Sequence, residues 1–309
     1  MLAPSEVGWD LVLYAQEWIE ERFRLTLELA RDVADEPGPR AVHDLRVACR
    51  RLREAVTFFQ GVPEVPPLFD VDRAARRMAR AVGRLRETDV AMKRLASIRE
   101  AGADARASRS KERLAEALAE RRHAIARKKR DRIRKRAKQL EHAIEDRLPL
   151  RVRPRAPEVD PAREAELRGF VETKVASRRA EVERLIGELP AKRGSFAIDP
   201  DTERKLHAVR VSIKHWRYAS EIARAMMPRV LYRPLSARLR RLQDTGGRTQ
   251  DLADLGAVLE KLSKGEPREA KPLLAGIAKE RVNAAREFYE ALKELGSPGQ
   301  AARRRRATG

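Results

Sequence analysis

The sequence predicts an all-α protein made of two pseudo-symmetric helical units of about four helices each, and three observations carry that prediction. Apolar residues recur at spacings of three and four through most of the chain, with Ala, Leu, Arg and Glu dominant. Alternating runs of Val, Ile and Thr bounded by turns, which mark strands, are scarce. Sliding the chain against itself by 164 positions brings His43 onto His207, Arg46 onto Arg210, Arg50 onto Lys214 and Arg53 onto Arg217. The register continues without a gap: Arg76 meets Arg240, Arg77 meets Arg241, Gly83 meets Gly247, Arg84 meets Arg248 and Glu87 meets Asp251. One register held over roughly 45 positions reads as an internal duplication, and two copies of a helical unit usually pack about a pseudo-twofold axis.

Turn formers set the element boundaries in order. Breaks fall at "DEPGP" (35–39), "GVPEVPP" (61–67), "LPLRVRPRAPEVDP" (148–161), "LPAKRGSFAIDP" (189–200), Pro228, Pro234, "GEP" (265–267) and "GSPG" (296–299). Each holds a proline, whose ring and missing N–H end a helix. About four helices precede the Pro-rich stretch and about four follow it. Asp199 before Pro200 reads as an N-cap with proline at the first helical position. The expected organisation is a first helical repeat over 5–149, a linker over 150–161, a second repeat over 162–297 and a basic disordered tail over 298–309 that includes "RRRR".

The 309 residues are enough to bury a substantial apolar core. Lys and Arg number 68 against 47 Asp and Glu, a net charge of +21, so an anionic partner is expected: a membrane surface, a nucleic acid or a free polyanion. Cys49 is the sole cysteine, which excludes an intramolecular disulfide and argues against a thiolate zinc site. The N-terminal stretch has no leader pattern, and no run of about 18 apolar residues occurs. The expectation is a soluble, cytoplasmic protein without membrane insertion.

The basic residues are patterned. At about 100° per residue, His43, Arg46, Arg50 and Arg53 share one side of a helix, opposite Leu45, Ala48, Leu52, Ala55, Val56 and Phe59. His207, Arg210, Lys214 and Arg217 repeat the stripe, opposite Val209, Trp216, Ala219 and Ala223. Read as one continuous helix, the segment after "GVPEVPP" carries Arg73, Arg76, Arg77, Arg80 and Arg84 on a single arc, opposite Ala75, Met78, Val82 and Leu85. Its copy carries Arg233, Arg240, Arg241 and Arg248, diluted by Asp244 and Asp251. A single basic stripe is most simply a solvated face. Solvated faces usually mix signs, however, because like charges at i, i+4 repel, so four nearly single-signed stripes favour an anion site. Arginine suits phosphate because its planar fork of donors stays charged.

"HDLRVACRRLR" (43–53) and "HAVRVSIKHWRY" (207–218) resemble the H-x-x-R-x-x-x-[RK]-x-x-R pattern of CHAD domains, the conserved histidine α-helical domain family. The family's second signature, near L-G-x-x-R-D-x-D-V, is similar to "VGRLRETDV" (82–90), with Glu87 in place of the first Asp. Its later counterpart is "GGRTQDL" (246–252), with Gln250 where Asn is common. The resemblance covers about residues 5 to 297. It implies two helical bundles around a basic central groove that binds inorganic polyphosphate, and association with polyphosphate granules. By motif match, His43, Arg46, Arg50, Arg53, His207, Arg210, Lys214 and Arg217 face the polyanion. Stripe geometry adds Arg76, Arg77, Arg80, Arg84, Arg240, Arg241 and Arg248.

Other signals are weaker. The two histidines make a poor metal site, and hydrogen bonding beside phosphate competes with a structural role. Glu87, Asp89 and Asp251 read as partners that orient arginines. With 3 Trp, 4 Tyr and 7 Phe, and Trp216 on an apolar side, platforms for stacking bases are few. "IARKKRDRIRKRAKQ" (125–139) either extends the anion surface or lies on a solvated helix. No E-x-E-x-K of triphosphate tunnel hydrolases, P-loop, G-x-S-x-G or H-E-x-x-H is present. The expectation is therefore a noncatalytic polyphosphate-binding module with no metal or cofactor. Nucleic-acid binding, or service as an accessory subunit of a polyphosphate-metabolising enzyme, stands as the alternative.

Overall fold

The computed structural model describes residues 11–62, 65–98, 105–150, 161–190, 198–227, 229–263 and 267–296. Among these residues the chain forms helices and no strand. The helices are α1 (Leu11–Asp35), α2 (Pro39–Phe58), α3 (Phe69–Ala81), α4 (Gly83–Ser97), α5 (Ala105–Glu145), α6 (Pro161–Gly187), α7 (Pro200–Ile222), α8 (Arg229–Leu262) and α9 (Pro267–Gly296), with one 3-10 turn over Ala223–Ala225. Most of the linker expected at 150–161 and all of the tail at 298–309 lie outside the described residues.

Local chemistry explains most boundaries. Pro39, Pro161, Pro200 and Pro267 each open a helix, where their missing N–H is one that would have no intrahelical partner. Asp199 caps α7 with two contacts of 2.8 Å, one to the Thr202 N–H and one to its hydroxyl. Gly61, in the turn after α2, holds a φ of 98°, which a side chain would disfavour. Two boundaries depart from expectation. Pro234 lies inside α8 without ending it. It is the sixth residue of that helix, so the bond it forgoes is to the carbonyl of Val230, a residue at the exposed start. The helix expected to run through Arg84 instead breaks at Val82, whose φ of −90° and ψ of 0° leave the helical region before Gly83 opens α4.

The helices sort into two compact units. Of the described residues, the first takes those within 11–97, 115–174 and 221–227, and the second takes 98 and those within 105–114, 175–220 and 229–296, so α5, α6 and α7 each contribute to both. In the first unit α2 packs on α1, α3 and α4, and its buried face is the one the periodicity selects: Leu45, Ala48, Leu52 and Ala55, with Phe58 and Phe59 at its end. The rings of Phe58 and Phe59 meet edge to face at 5.1 Å, and Phe170 stacks on Phe59 at 6.5 Å. Glu20, nearly buried on α1, accepts the Leu150 N–H at 2.9 Å and so ties down the chain beyond α5. The second unit has its own core of Leu206, Val209, Ile213, Trp216, Leu239 and Leu242 from α7 and α8, closed by Phe288, Tyr289 and Leu292 of α9. Trp216 is therefore a core residue.

Candidate functional site

All fifteen side chains selected from the sequence lie on described helices, and none is buried. In the first unit, α2 turns His43 to solvent and leaves Arg46, Arg50 and Arg53 partly covered. Arg46 reaches the break between α3 and α4, where its Nη1 donates to the Ala79 carbonyl at 2.6 Å. That carbonyl belongs to the last turn of α3, whose acceptors lack intrahelical partners, so Arg46 caps the helix with a cation at the negative end of its dipole. Gly83 lies beside this contact, and a Cβ there would meet the same nitrogen at 3.4 Å. Arg53 is paired with Asp72 in the first turn of α3, Nε to Oδ1 at 2.8 Å.

Burial and then like charge shift the titratable groups of this region. Burial, then the positive charge of Arg86, then Arg50 and Lys93, hold the His43 imidazole below its ordinary pKa, with only Asp44 opposing. Burial and the cations of Arg50 and Arg86 likewise lower Arg46, against Glu87. Arg76, Arg77 and Arg80 are exposed on α3, while Arg84 is exposed on α4. Lys129 of α5 is lowered by burial and then by Arg84 and Arg132. Asp89, nearly buried, accepts from Arg122 Nε at 2.5 Å and so orients an arginine as expected of it. Cys49 is fully buried and its thiol is pushed up to about 12 by that burial, which makes it unreactive.

In the second unit, α7 turns His207 to solvent and leaves Arg210, Lys214 and Arg217 partly covered. His207 and Arg210 share a recess with Glu203, Thr249, Gln250 and Arg281. His207 Nδ1 is 3.0 Å from the Gln250 side-chain oxygen. Arg281 pairs with Glu203 at 2.5 Å. On α8, Arg240 and Arg241 are exposed, and Arg240 donates to the Ser236 hydroxyl at 3.3 Å. Arg248 is drawn to α9 by Glu280 at 3.6 Å and Glu287 at 3.4 Å. The Arg217 guanidinium stands 5.1 Å from the centre of the buried Tyr218 ring.

Comparison with known proteins places this arrangement. The CHAD domain family model matches residues 17–260. The chain belongs to the CHAD domain family. A search of curated proteins returns no match. Among solved structures, the crystal structure of the CHAD domain from the plant Ricinus communis is similar at a TM-score of 0.65, with 16% identity over 94% of each chain. PptA from Streptomyces chartreusis is similar at 0.61, with 16% identity over 93% of this chain and 100% of its own. At such identity these two structures speak for the fold.

The sequence left several members of these clusters unmarked in this CHAD domain. Arg86 and Lys93 act on His43 from α4, at an i, i+7 spacing visible once a new helix is started at Gly83. Lys129 joins the field of Arg84, which brings part of the 125–139 run toward a selected residue. Gln250 stands out in sequence only as a departure from the family pattern, yet it is the side chain that holds His207.

Proposed function

We propose that this CHAD domain binds inorganic polyphosphate without turning it over, through arginine, lysine and histidine side chains of both halves, and thereby attaches to polyphosphate granules. The observation that carries the reading is the row of exposed cations Arg76, Arg77, Arg80 and Arg84 on α3 and α4, in the region where Arg86, Arg50 and Lys93 add their charge beside His43. Crowded like charges weaken a fold unless an anion offsets them, and a chain of phosphates offsets many at once. Charge-assisted hydrogen bonds from guanidinium to phosphate then add direction to the attraction. Family membership supports the same ligand class.

Charge reversal tests the proposal. Arg46 is a poor choice because it caps α3. Arg50→Glu combined with Lys214→Glu places one reversal in each motif, and circular dichroism with thermal melting checks that the helices persist. With each lost charged contact costing about 1.5–3 kcal/mol, affinity for polyphosphate is expected to drop by about 100-fold or more. A folded double variant that binds polyphosphate like the parent chain overturns the assignment. Release of orthophosphate from polyphosphate in the presence of Mg²⁺ overturns the noncatalytic part.

A further inference from the structure

Behind His207 lies a short relay on α8. The Gln250 side-chain oxygen is 3.0 Å from His207 Nδ1, and Gln250 Nε2 is 3.0 Å from Asp254 Oδ1. Gln250 and Asp254 are four residues apart on one helix, so they are held as neighbours by the backbone. A carboxylate only accepts hydrogen bonds, so the amide must turn its NH2 to Asp254 and its oxygen to His207. An amide oxygen also only accepts. His207 Nδ1 must therefore carry a hydrogen, and in the neutral ring Nε2 holds the lone pair.

We infer that Asp254, acting through Gln250, is a positioning residue that locks His207 as the Nδ1–H tautomer, so that His207 grips a phosphate oxygen through Nε2 only after taking up one proton from solvent. The inference rests on the proposed polyphosphate reading of His207. A neutral Nε2 would set its lone pair against the lone pairs of the phosphate oxygen, whereas a protonated Nε2 donates a charge-assisted bond. Three helices bring charged groups to this recess: Glu203 and Arg210 of α7 and Arg281 of α9, paired to Glu203, line it, and Asp254 of α8 stands behind Gln250, with Asp251 as the next residue after that amide. Glu203 is already engaged by Arg281 and the amide facing the ring is neutral, so an arriving phosphate brings new negative charge that favours the protonated ring. At the same register in the first half stand Arg86 and Val90, neither of which can accept a hydrogen bond through its side chain. The relay belongs to the second half alone.

The tautomer is read directly in the full-length, ligand-free chain. Two-bond proton–nitrogen correlation spectra of histidine-labelled protein at about pH 8, with His207 assigned by the signals lost in His207→Gln, distinguish the two forms. The parent chain is expected to show Nδ1–H. Asp254→Ala and Gln250→Leu should each yield a mixture of tautomers, and Gln250→Glu should restore the lock because a carboxylate also accepts from Nδ1–H. The other histidine signals and the circular dichroism spectrum report that the variants fold. An Nε2–H ring in the parent, or one tautomer unchanged across all variants, overturns the inference. Calorimetry with sodium polyphosphate in two buffers of different ionisation enthalpy then measures proton uptake, which should fall in His207→Gln. Uptake unaffected by that substitution overturns the proton linkage. Polyphosphate that fails to bind at all sinks the functional reading, and the tautomer result still decides the relay on its own.

Discussion

Around His43 stand Arg50, Arg86 and Lys93, with Asp44 as the opposing charge; around His207 stand Gln250, Arg210 and the Glu203–Arg281 pair. The offset of 164 aligns these regions, so the contrast can be followed position by position. Arg86 becomes Gln250, and a group that repels a protonated ring becomes one that orients a neutral ring. Arg84, whose positive charge is felt by Lys129, becomes Arg248, which is held by Glu280 and Glu287. Val82, at a break between two helices, becomes Gly246, inside one unbroken helix. Similar sequence motifs thus support two electrostatic designs: the charges acting on the first histidine are mostly cationic, and beside the second stand a neutral amide and a Glu–Arg pair. Under the proposed function the first supplies long-range attraction and the second a directional contact.

The largest effect that sharpens the contrast is expected at Gly246. A Cβ there would lie 2.8 Å from Cζ of Phe288 and within 3.1 Å of two further ring atoms, and that ring is buried in the core. Gly246→Ala should cost about 1–3 kcal/mol, seen as a lower melting temperature. A variant as stable as the parent would mean that α8 and α9 do not pack this closely. Next comes Arg46→Ala, which removes the cap from α3. A loss of about 1–2 kcal/mol is expected in denaturant unfolding, and no loss would show that the Ala79 carbonyl needs no partner. Gly247→Ala should act in the opposite direction from its neighbour. Nothing lies within 4 Å of its Cβ position, so replacing a mid-helix glycine is worth about 0.5–1 kcal/mol of added stability.

The smallest expected effect is a pH dependence confined to the first region. His43 is held below its ordinary pKa in the folded chain, so the unfolded chain binds the proton more readily. Its contribution to stability is therefore present above about pH 6.5 and is lost as the pH falls through that value toward the lowered folded pKa. Bound phosphates reverse the sign of the local field and raise the pKa of the ring, so polyphosphate affinity should climb over the same fall in pH. His43→Gln should flatten both trends. Unaltered profiles in that variant would remove His43 from the account.

How legible these features were in the sequence depends on whether their cause is local. Asp199 with Pro200, the proline at the start of α2 and the turn at Gly61 carry their geometry in one or two residues, and each is where the composition puts it. The buried face of α2 followed from periodicity, as did the burial of Trp216. The break at Val82 did not, because valine is no turn former and the arginine spacing from 73 to 84 suits an unbroken helix. That misreading shifted the phase of everything after Gly83 and concealed Arg86 and Lys93. Pro234 gave the opposite lesson, since a proline in the first turns of a helix forfeits little. The contact between His207 and Gln250 joins residues 43 apart in sequence, which no local pattern encodes.

Titration calorimetry of the full chain against polyphosphate of tens of units, pyrophosphate and orthophosphate, at one salt concentration, tests the central claim most directly. Each charged contact contributes about 1.5–3 kcal/mol, and a longer chain engages more of them at once, so the account predicts affinity that rises steeply with phosphate number. Equal affinity for the three ligands would contradict it.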